Sequence, residues 1–348
     1  MTGESLSALS RYLLSSLVLL GLGSPVASPS ARADTISWEG GITIVHQASD
    51  DPRPDPEWTA SADLFATLEH GRGKWLLYVE ASSSPESNGV SAFYPTVNGD
   101  AGSVLTTGGS GGVQVSELNY TFFLNNKQSL MLGLIDPSAW LDRGRIANDE
   151  NNHFLNGSFV NNATIAFPDY SLGGVFRLLG NDQRPEITFV ISGSDGIADT
   201  PDRSYQDLLD LNEEGRGIFL GSGASWLREH TSWRFGAWLR TDEQDVAGNV
   251  TDSELNYGVY GVFGWQSGAN SVNVRAGLAN SYASAADQFF AIAYRLETQP
   301  GVLGVGVATT RIAEEFGGAG QDSAMDSEIY FRLPVFDGTG HITPSVQY

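Results

Sequence analysis

The sequence predicts an all-β fold, a transmembrane antiparallel barrel of about sixteen strands. Three observations carry that expectation. First, the chain beyond residue 33 is a series of short segments in which apolar and polar residues alternate. In Trp233–Arg240, for example, Trp233, Phe235, Ala237 and Leu239 fall on one face of an extended strand. Arg234, Gly236, Trp238 and Arg240 fall on the other. Successive strand side chains point to opposite faces, so a period of two implies two solvents, here lipid outside and water inside. Second, no later segment reaches the roughly 18 continuous apolar residues of a membrane helix, although the chain opens with an export-type leader. Third, the polar connections alternate between short and long, as in bacterial barrels with short periplasmic turns and long outer loops.

The first 33 residues read as a secretory signal peptide. Arg11 precedes an apolar run from Tyr12 to Leu22, and Pro25 to Ala33 is small and turn-rich. Ala31, Arg32 and Ala33 fit the A-x-A cleavage pattern, which puts the mature start at Asp34 and the barrel over residues 34–348. The chain has no cysteine, so an exported fold must be held by something other than disulfides, and a closed hydrogen-bonded barrel suffices. An apolar content of 41% with 41 glycines suits a barrel whose inner face is wet. The net charge of −22 excludes a nucleic-acid binder and argues against a pore built to attract anions. Solvated acidic loops are the first reading of that charge, and a cation-selective lumen is the second.

Fifteen strands can be placed. The first five lie near Ile36–His46, Trp58–Glu69, Lys74–Ala81, Val113–Leu124 and Gln128–Ile135. Next come Tyr170–Leu179, Glu186–Ser192, Arg216–Arg228, Ser232–Thr241 and Ser253–Trp265. The last five lie near Ser271–Asn280, Asp287–Glu297, Val302–Ile312, Ser327–Leu333 and Gly340–Tyr348. Trp58, Trp75, Trp226 and Trp265 stand at strand ends and suit interfacial girdles. Long polar loops are expected at Ala48–Glu57, Ser82–Gly112, Asp136–Asp169, Gly193–Gly215, Asp242–Asp252 and Ala313–Asp326. A soluble lectin or β-propeller would need polar outer faces, and no blade-type repeat is present.

An odd strand count makes the first and fifteenth strands run the same way, so they cannot pair with each other antiparallel. Bacterial single-chain barrels have even numbers, and each orphan N–H or C=O group in lipid costs several kcal/mol. A further strand of about ten residues is therefore expected beyond Tyr348, so that the chain reads as C-terminally truncated.

Asp136–Asp169 is the candidate for a loop folded into the lumen. It carries Trp140, Arg143, Arg145, Glu150 and many asparagines, whose amides both donate and accept. Arg234, Trp238 and Arg240 are the candidates on the lumen wall. The histidines His46, His70, His153, His230 and His341 are scattered without metal-ligand spacing, and His230 near Ser232 sits in a turn. No catalytic residue, metal or cofactor is therefore assigned. The acidic loop Asp195–Asp207 departs from the EF-hand pattern and reads as solvated acids, with divalent bridging to lipopolysaccharide as the alternative.

The stretch Arg145–Gly173, with its Ala-Asn-Asp-Glu, Phe-Leu-Asn and Val-Asn-Asn runs, resembles the carbohydrate-selective porin family of Gram-negative outer membranes. Glu117–Tyr120, Leu130–Asp136, Ser327–Arg332 and Thr343–Tyr348 are similar to other blocks of that family, and the likeness spans most of residues 110–348. The resemblance implies passive diffusion of mono- and small oligosaccharides through a barrel of about sixteen strands set in outer-membrane lipid and lipopolysaccharide. It leaves open whether the barrel is a homotrimer or a monomer. A structural or adhesive barrel with a plugged lumen is the alternative from another class.

Overall fold

The computed structural model describes residues 12–14, 35–181, 183–201, 203–209, 216–246, 249–314, 316 and 322–348. Its strands are β1 (Ile36–Gln47), β2 (Glu57–His70), β3 (Gly73–Ser82), β4 (Gly112–Asn125), β5 (Gln128–Ile135), β6 (Ser171–Leu178) and β7 (Glu186–Gly193). There follow β8 (Ile218–Leu227), β9 (Thr231–Val246), β10 (Asn249–Ser267), β11 (Asn270–Ala279), β12 (Ala286–Glu297), β13 (Val302–Ile312) and β14 (Ser323–Val335). The last strand, β15, comes in two pieces, Gly340–Ile342 and Ser345–Gln347. Pro344 lies between them, and a residue without a backbone N–H interrupts a ladder.

Each strand pairs antiparallel with its sequence neighbour, and all belong to one sheet. No helix among the described residues is long and apolar enough to cross a membrane, which says nothing of crossing by strands. The side chains are inverted relative to a water-soluble sandwich. Phe235, Tyr257 and Ile191 are 53%, 54% and 52% exposed on the outside, while Asn273, Thr188 and Ser271 are buried toward the lumen. This is the alternation required when lipid covers one face and the lumen lies behind the other. Aromatics gather at strand ends: Trp75 lies 4.9 Å from Tyr120, Trp233 4.4 Å from Phe263, and His46 4.5 Å from Trp58 by ring centroids.

Strand β1 and the end of β15 do not pair with each other. Between them lies a three-residue strand, Tyr12–Leu14, antiparallel to Ser345–Gln347 and touching β1 where Leu14 faces Gln47. Two strands that share an antiparallel partner run the same way, as an odd count demands. Tyr12–Leu14 falls within the stretch read as a signal peptide, and the rest of residues 1–34 lies outside the described residues.

One expected loop is replaced by strand. Asp242–Asp252 reads as a long polar connection, yet β9 and β10 extend through it, with Gln244 opposite Glu254 and Val246 opposite Asn249. The ladder satisfies backbone groups there whatever the side chains face, at the cost of two register shifts.

Candidate solute site in the barrel lumen

The connection between β5 and β6 turns into the lumen, and its own polar residues shape it. The Asp136 carboxylate accepts from the Ser138 N–H and hydroxyl at 2.8 and 2.9 Å, setting a one-turn helix at Ser138–Leu141. Asp149 accepts from the N–H groups of Asn151 and Asn152 at 2.9 and 2.7 Å. Asn156 and Asn162 accept from Ser158 and Thr164 two residues on, at 2.9 and 3.1 Å. These are Asx turns, which let a chain bend repeatedly without a ladder. Much of the asparagine that suggested hydroxyl recognition is thus used within the loop.

The loop is fastened to the wall of β8–β15. Arg275 of β11, 1% exposed, donates to the carbonyls of Phe159, Val160 and Asp142 at 2.6, 2.7 and 3.0 Å. Its Nε lies 3.4 Å from the buried Asp142 carboxylate. Arg234 donates to Trp140 and Leu141 carbonyls at 3.1 and 3.0 Å. The Glu328 carboxylate accepts from the N–H groups of Leu155 and Asn156 at 3.2 and 2.9 Å, and the Asn156 amide donates to Gln347 at 3.0 Å. Around these bonds the contact is apolar: Ile146, Phe154 and Phe159 pack on Phe289, Ala291, Ala308 and Tyr330. Two wall glycines make the close approach possible. A Cβ at Gly306 would lie 2.6 Å from the Phe159 ring, and one at Gly277 would lie 2.0 Å from the Thr164 hydroxyl.

A second connection, between β3 and β4, also turns inward, which the sequence did not single out. Ser61 donates to Asp100 at 2.5 Å and Asn98 donates to Thr59 at 3.1 Å. Its Gly99 N–H donates to the Leu155 carbonyl at 2.9 Å, joining the two loops.

Between these loops and the wall of β2–β4 lies a cavity of about 600 Å³. Glu80 and Glu117 line it from the wall, and Asp136, Asp142, Asp149, Glu150 and Asp169 line it from the loop. Phe65 and Tyr78 stack in it at 4.2 Å and 7°, with Tyr170 edge-on to Tyr78 at 6.0 Å. Tyr170 holds φ at 59°, a left-handed conformation that a bulky residue adopts only when its surroundings impose it. Burial raises the loop carboxyls of Asp136, Asp142, Glu150 and Asp169 above the usual carboxylate range. It takes Glu150 to about 8, helped by Asp100, and Asp169 to about 8, helped by Asp136. Burial also pushes His153 down to about 4.

The seven residues singled out in the sequence fall in different surroundings. Arg143 and Glu150 line the cavity. Trp140 packs against the wall, with the Arg177 guanidinium 5.2 Å from its ring. Arg145 donates to the Arg228 carbonyl at 2.8 Å. Arg234 is covered by the loop it holds, and Trp238 is buried with Phe219, 6.3 Å away and stacked. Arg240 pairs with Asp242 at 2.7 Å and Asp195 at 3.6 Å. The acidic loop is drawn into the same network, because Arg203 lies 2.9 Å from Asp195, while Asp202 lies outside the described residues. Phe65 and Tyr78 were missed. The available signal was an aromatic on the wet face of its strand, between Asp63 and Thr67 and two before Glu80. No group of three or more His, Cys, Asp or Glu residues able to hold a metal occurs among the described residues.

Solved structures share this architecture. A high-pH structure of Pseudomonas putida OprB superposes with a TM-score of 0.64 over 90% of this chain and 93% of that one, at 10% identity. A mutant of the Rh. blastica porin superposes with a TM-score of 0.51 over 90% of this chain and 99% of that one, at 12% identity. At such identities the likeness shows the fold, which is that of a porin. No family model and no curated protein matches the sequence.

Proposed function

We propose that the chain is a passive outer-membrane porin through which mono- and small oligosaccharides diffuse into the periplasm. The observation that carries this reading is the cavity inside the barrel. It combines hydrogen-bonding side chains with a stacked Phe65–Tyr78 pair. A neutral sugar offers no charge to hold. It is guided by hydrogen bonds to its hydroxyls and by aromatic faces against its C–H surface, and it must bind weakly enough to leave. The family resemblance of Arg145–Gly173 supports the same reading. Export through a cleaved signal peptide over residues 1–33, and a setting of outer-membrane lipid and lipopolysaccharide, belong to this proposal.

Planar bilayers and liposome swelling test it. Purified folded protein should give stepwise conductance, and liposomes containing it should swell in arabinose and glucose. Folded protein that gives neither is instead a plugged barrel, a reading favoured by the two loops that occupy the lumen.

A further inference from the structure

The chain carries a net charge of −22, yet one recess in it is cationic. Beside the short β12–β13 turn Thr298–Gly301, a cavity of about 490 Å³ opens between Asn152 of the lumen loop and β12–β15. Arg295 of β12, Arg332 of β14 and His341 of β15 line it, and Glu297 is the one carboxylate in its lining. No residue lines both this recess and the acid-rich cavity. Glu297 pairs with Arg295 at 3.3 Å and is half exposed. Among the described residues no carboxylate lies within 4.0 Å of Arg332. Asp149 of the loop faces Arg332 from farther off, and it is taken up by the N–H groups of Asn151 and Asn152.

Arg332 is nevertheless fixed in place, and by neutral groups. Its guanidinium donates to the Asn152 carbonyl, to the Asn152 amide oxygen at 2.9 Å and to His341 Nδ1 at 3.0 Å. A guanidinium only donates, so Nδ1 accepts, and the neutral imidazole carries its proton on Nε2 as a further donor. The strand register brings the two arginines together. Gly304 stands opposite Arg295, and Val302, two residues before Gly304, stands opposite Arg332. One strand thus separates two like charges on the same face, an arrangement that is unfavourable until a counter-charge meets it. Pro300, Val302 and Pro334 give the recess an apolar side.

Resting on the reading of the chain as a sugar-permeable porin, we infer that this recess is a subsite for sugar acids, with the solute carboxylate on Arg332 and Arg295 and its ring against the proline side. The fork of an arginine matches a carboxylate through two parallel N–H···O bonds. The balance of charge selects a monoanion: two guanidiniums against one Glu297 leave a single positive charge to be met. A phosphate dianion overshoots it, and a neutral sugar leaves it unmet. Apolar lining with a few convergent polar groups is the ordinary make-up of a small-molecule site of this size.

The test titrates folded wild-type protein in detergent by calorimetry, at pH 8 in a low-chloride buffer. Glucuronate should bind at least ten-fold tighter than glucose, acetate or inorganic phosphate. Arg332→Gln and Arg295→Gln, each checked for folding by heat-modifiability on a gel, should each lower glucuronate affinity ten-fold or more. Arg295 bonds only to Glu297 among the described residues, so its replacement leaves the anchors of the lumen loop in place. Both variants should still admit glucose to liposomes. Glucuronate affinity that is unchanged in either variant, or no tighter than that of glucose, overturns the inference, and continued swelling in glucose then leaves sugar passage intact. Acetate or phosphate binding as tightly as glucuronate also overturns it, leaving a site for small anions only. Liposomes that do not swell in glucose overturn both readings, because no sugar then passes the recess.

Discussion

The lumen loop meets two walls, and it meets them differently. Toward β8–β15 it is dry and pinned: Arg234, Arg275, Glu328 and Gln347 bond to it, and Phe154 and Phe159 pack against Tyr330 and Phe289. Toward β2–β4 it stands off across the 600 Å³ cavity, with carboxylates and stacked aromatics on its borders. Both walls come from the same alternating strand pattern. What differs is the length and charge of the inward residues. Long arginines with glycines beside them draw the loop onto one wall, whereas acids opposite acids hold the other side open. A constriction built this way can be rigid without being closed.

The largest expected effect comes from releasing the pinned side. Arg275→Met leaves the Asp142 carboxylate buried without its cation, which costs about 3–5 kcal/mol when such pairs are broken. The loop should detach from its wall. Trypsin should then cut after Arg143 or Arg145 in folded protein, and single-channel conductance should rise. Unchanged conductance and trypsin resistance would mean that the apolar packing alone holds the loop. Next in size is Gly306→Val, which forces a side chain into the Phe159 ring; overpacking of this kind costs about 1–3 kcal/mol. The unfolding temperature seen by heat-modifiability should fall, while outward substitutions on β13 leave it unchanged.

The open side should respond to pH. Glu150 faces Asp100, Asp149 and Glu80, with Arg143 also on the cavity, and Asp169 faces Asp136, Asp199 and Glu80. Both carboxyls are raised to about 8, so they are mainly protonated at pH 6 and mainly ionised at pH 9. Cation preference should therefore be weak at pH 6 and grow a few-fold by pH 9, as read from reversal potentials. A preference that stays flat over that range would place the controlling charge elsewhere. The smallest effects separate two neighbours in sequence. Arg143→Ala, at the cavity, should strengthen cation preference and shift block by glucose. Trp140→Ala, against Arg177, should shift neither and lower thermal stability slightly. The reverse pattern would exchange the roles of the two walls.

The strands were legible because alternation is a direct imprint of solvent on sequence. Gln128–Ile135 is identical in expectation and structure, and most other strand ends lie within a few residues. The inward turn of Asp136–Asp169 was legible from its density of Asn, Asp and Trp. What local pattern could not convey was partnership over distance. Arg234 and Arg240 were assigned to the correct face, but the carbonyl that Arg234 donates to lies in a loop 93 residues before it, and the Asp195 that forms an ion pair with Arg240 lies 45 residues before it (240 less 195). The inward fold of the β3–β4 connection depends on Ser61 and Thr59 meeting Asp100 and Asn98, and nothing near either pair announces the other. Phe65 and Tyr78 looked like ordinary strand aromatics because their stacking depends on the β2–β3 register, in which Phe65 and Tyr78 stand directly opposite.

The anchors of the lumen loop also set a timetable for assembly. Leu155 and Asn156 are held by Glu328 and Gln347, which follow them by 172 to 191 residues. Closing so long a stretch of chain is entropically costly and slow compared with zipping one hairpin onto the next. The early hairpins of β1–β5 offer the loop only a few bonds, from Gly99, Glu117 and Asp63; Arg234 and Arg275 add theirs as β9 and β11 arrive, and the constriction is completed only with β14 and β15. Nascent barrels would accordingly pass through a stage that is wider and more protease-sensitive than the finished one, and the narrowing of the pore would be the last event of its folding.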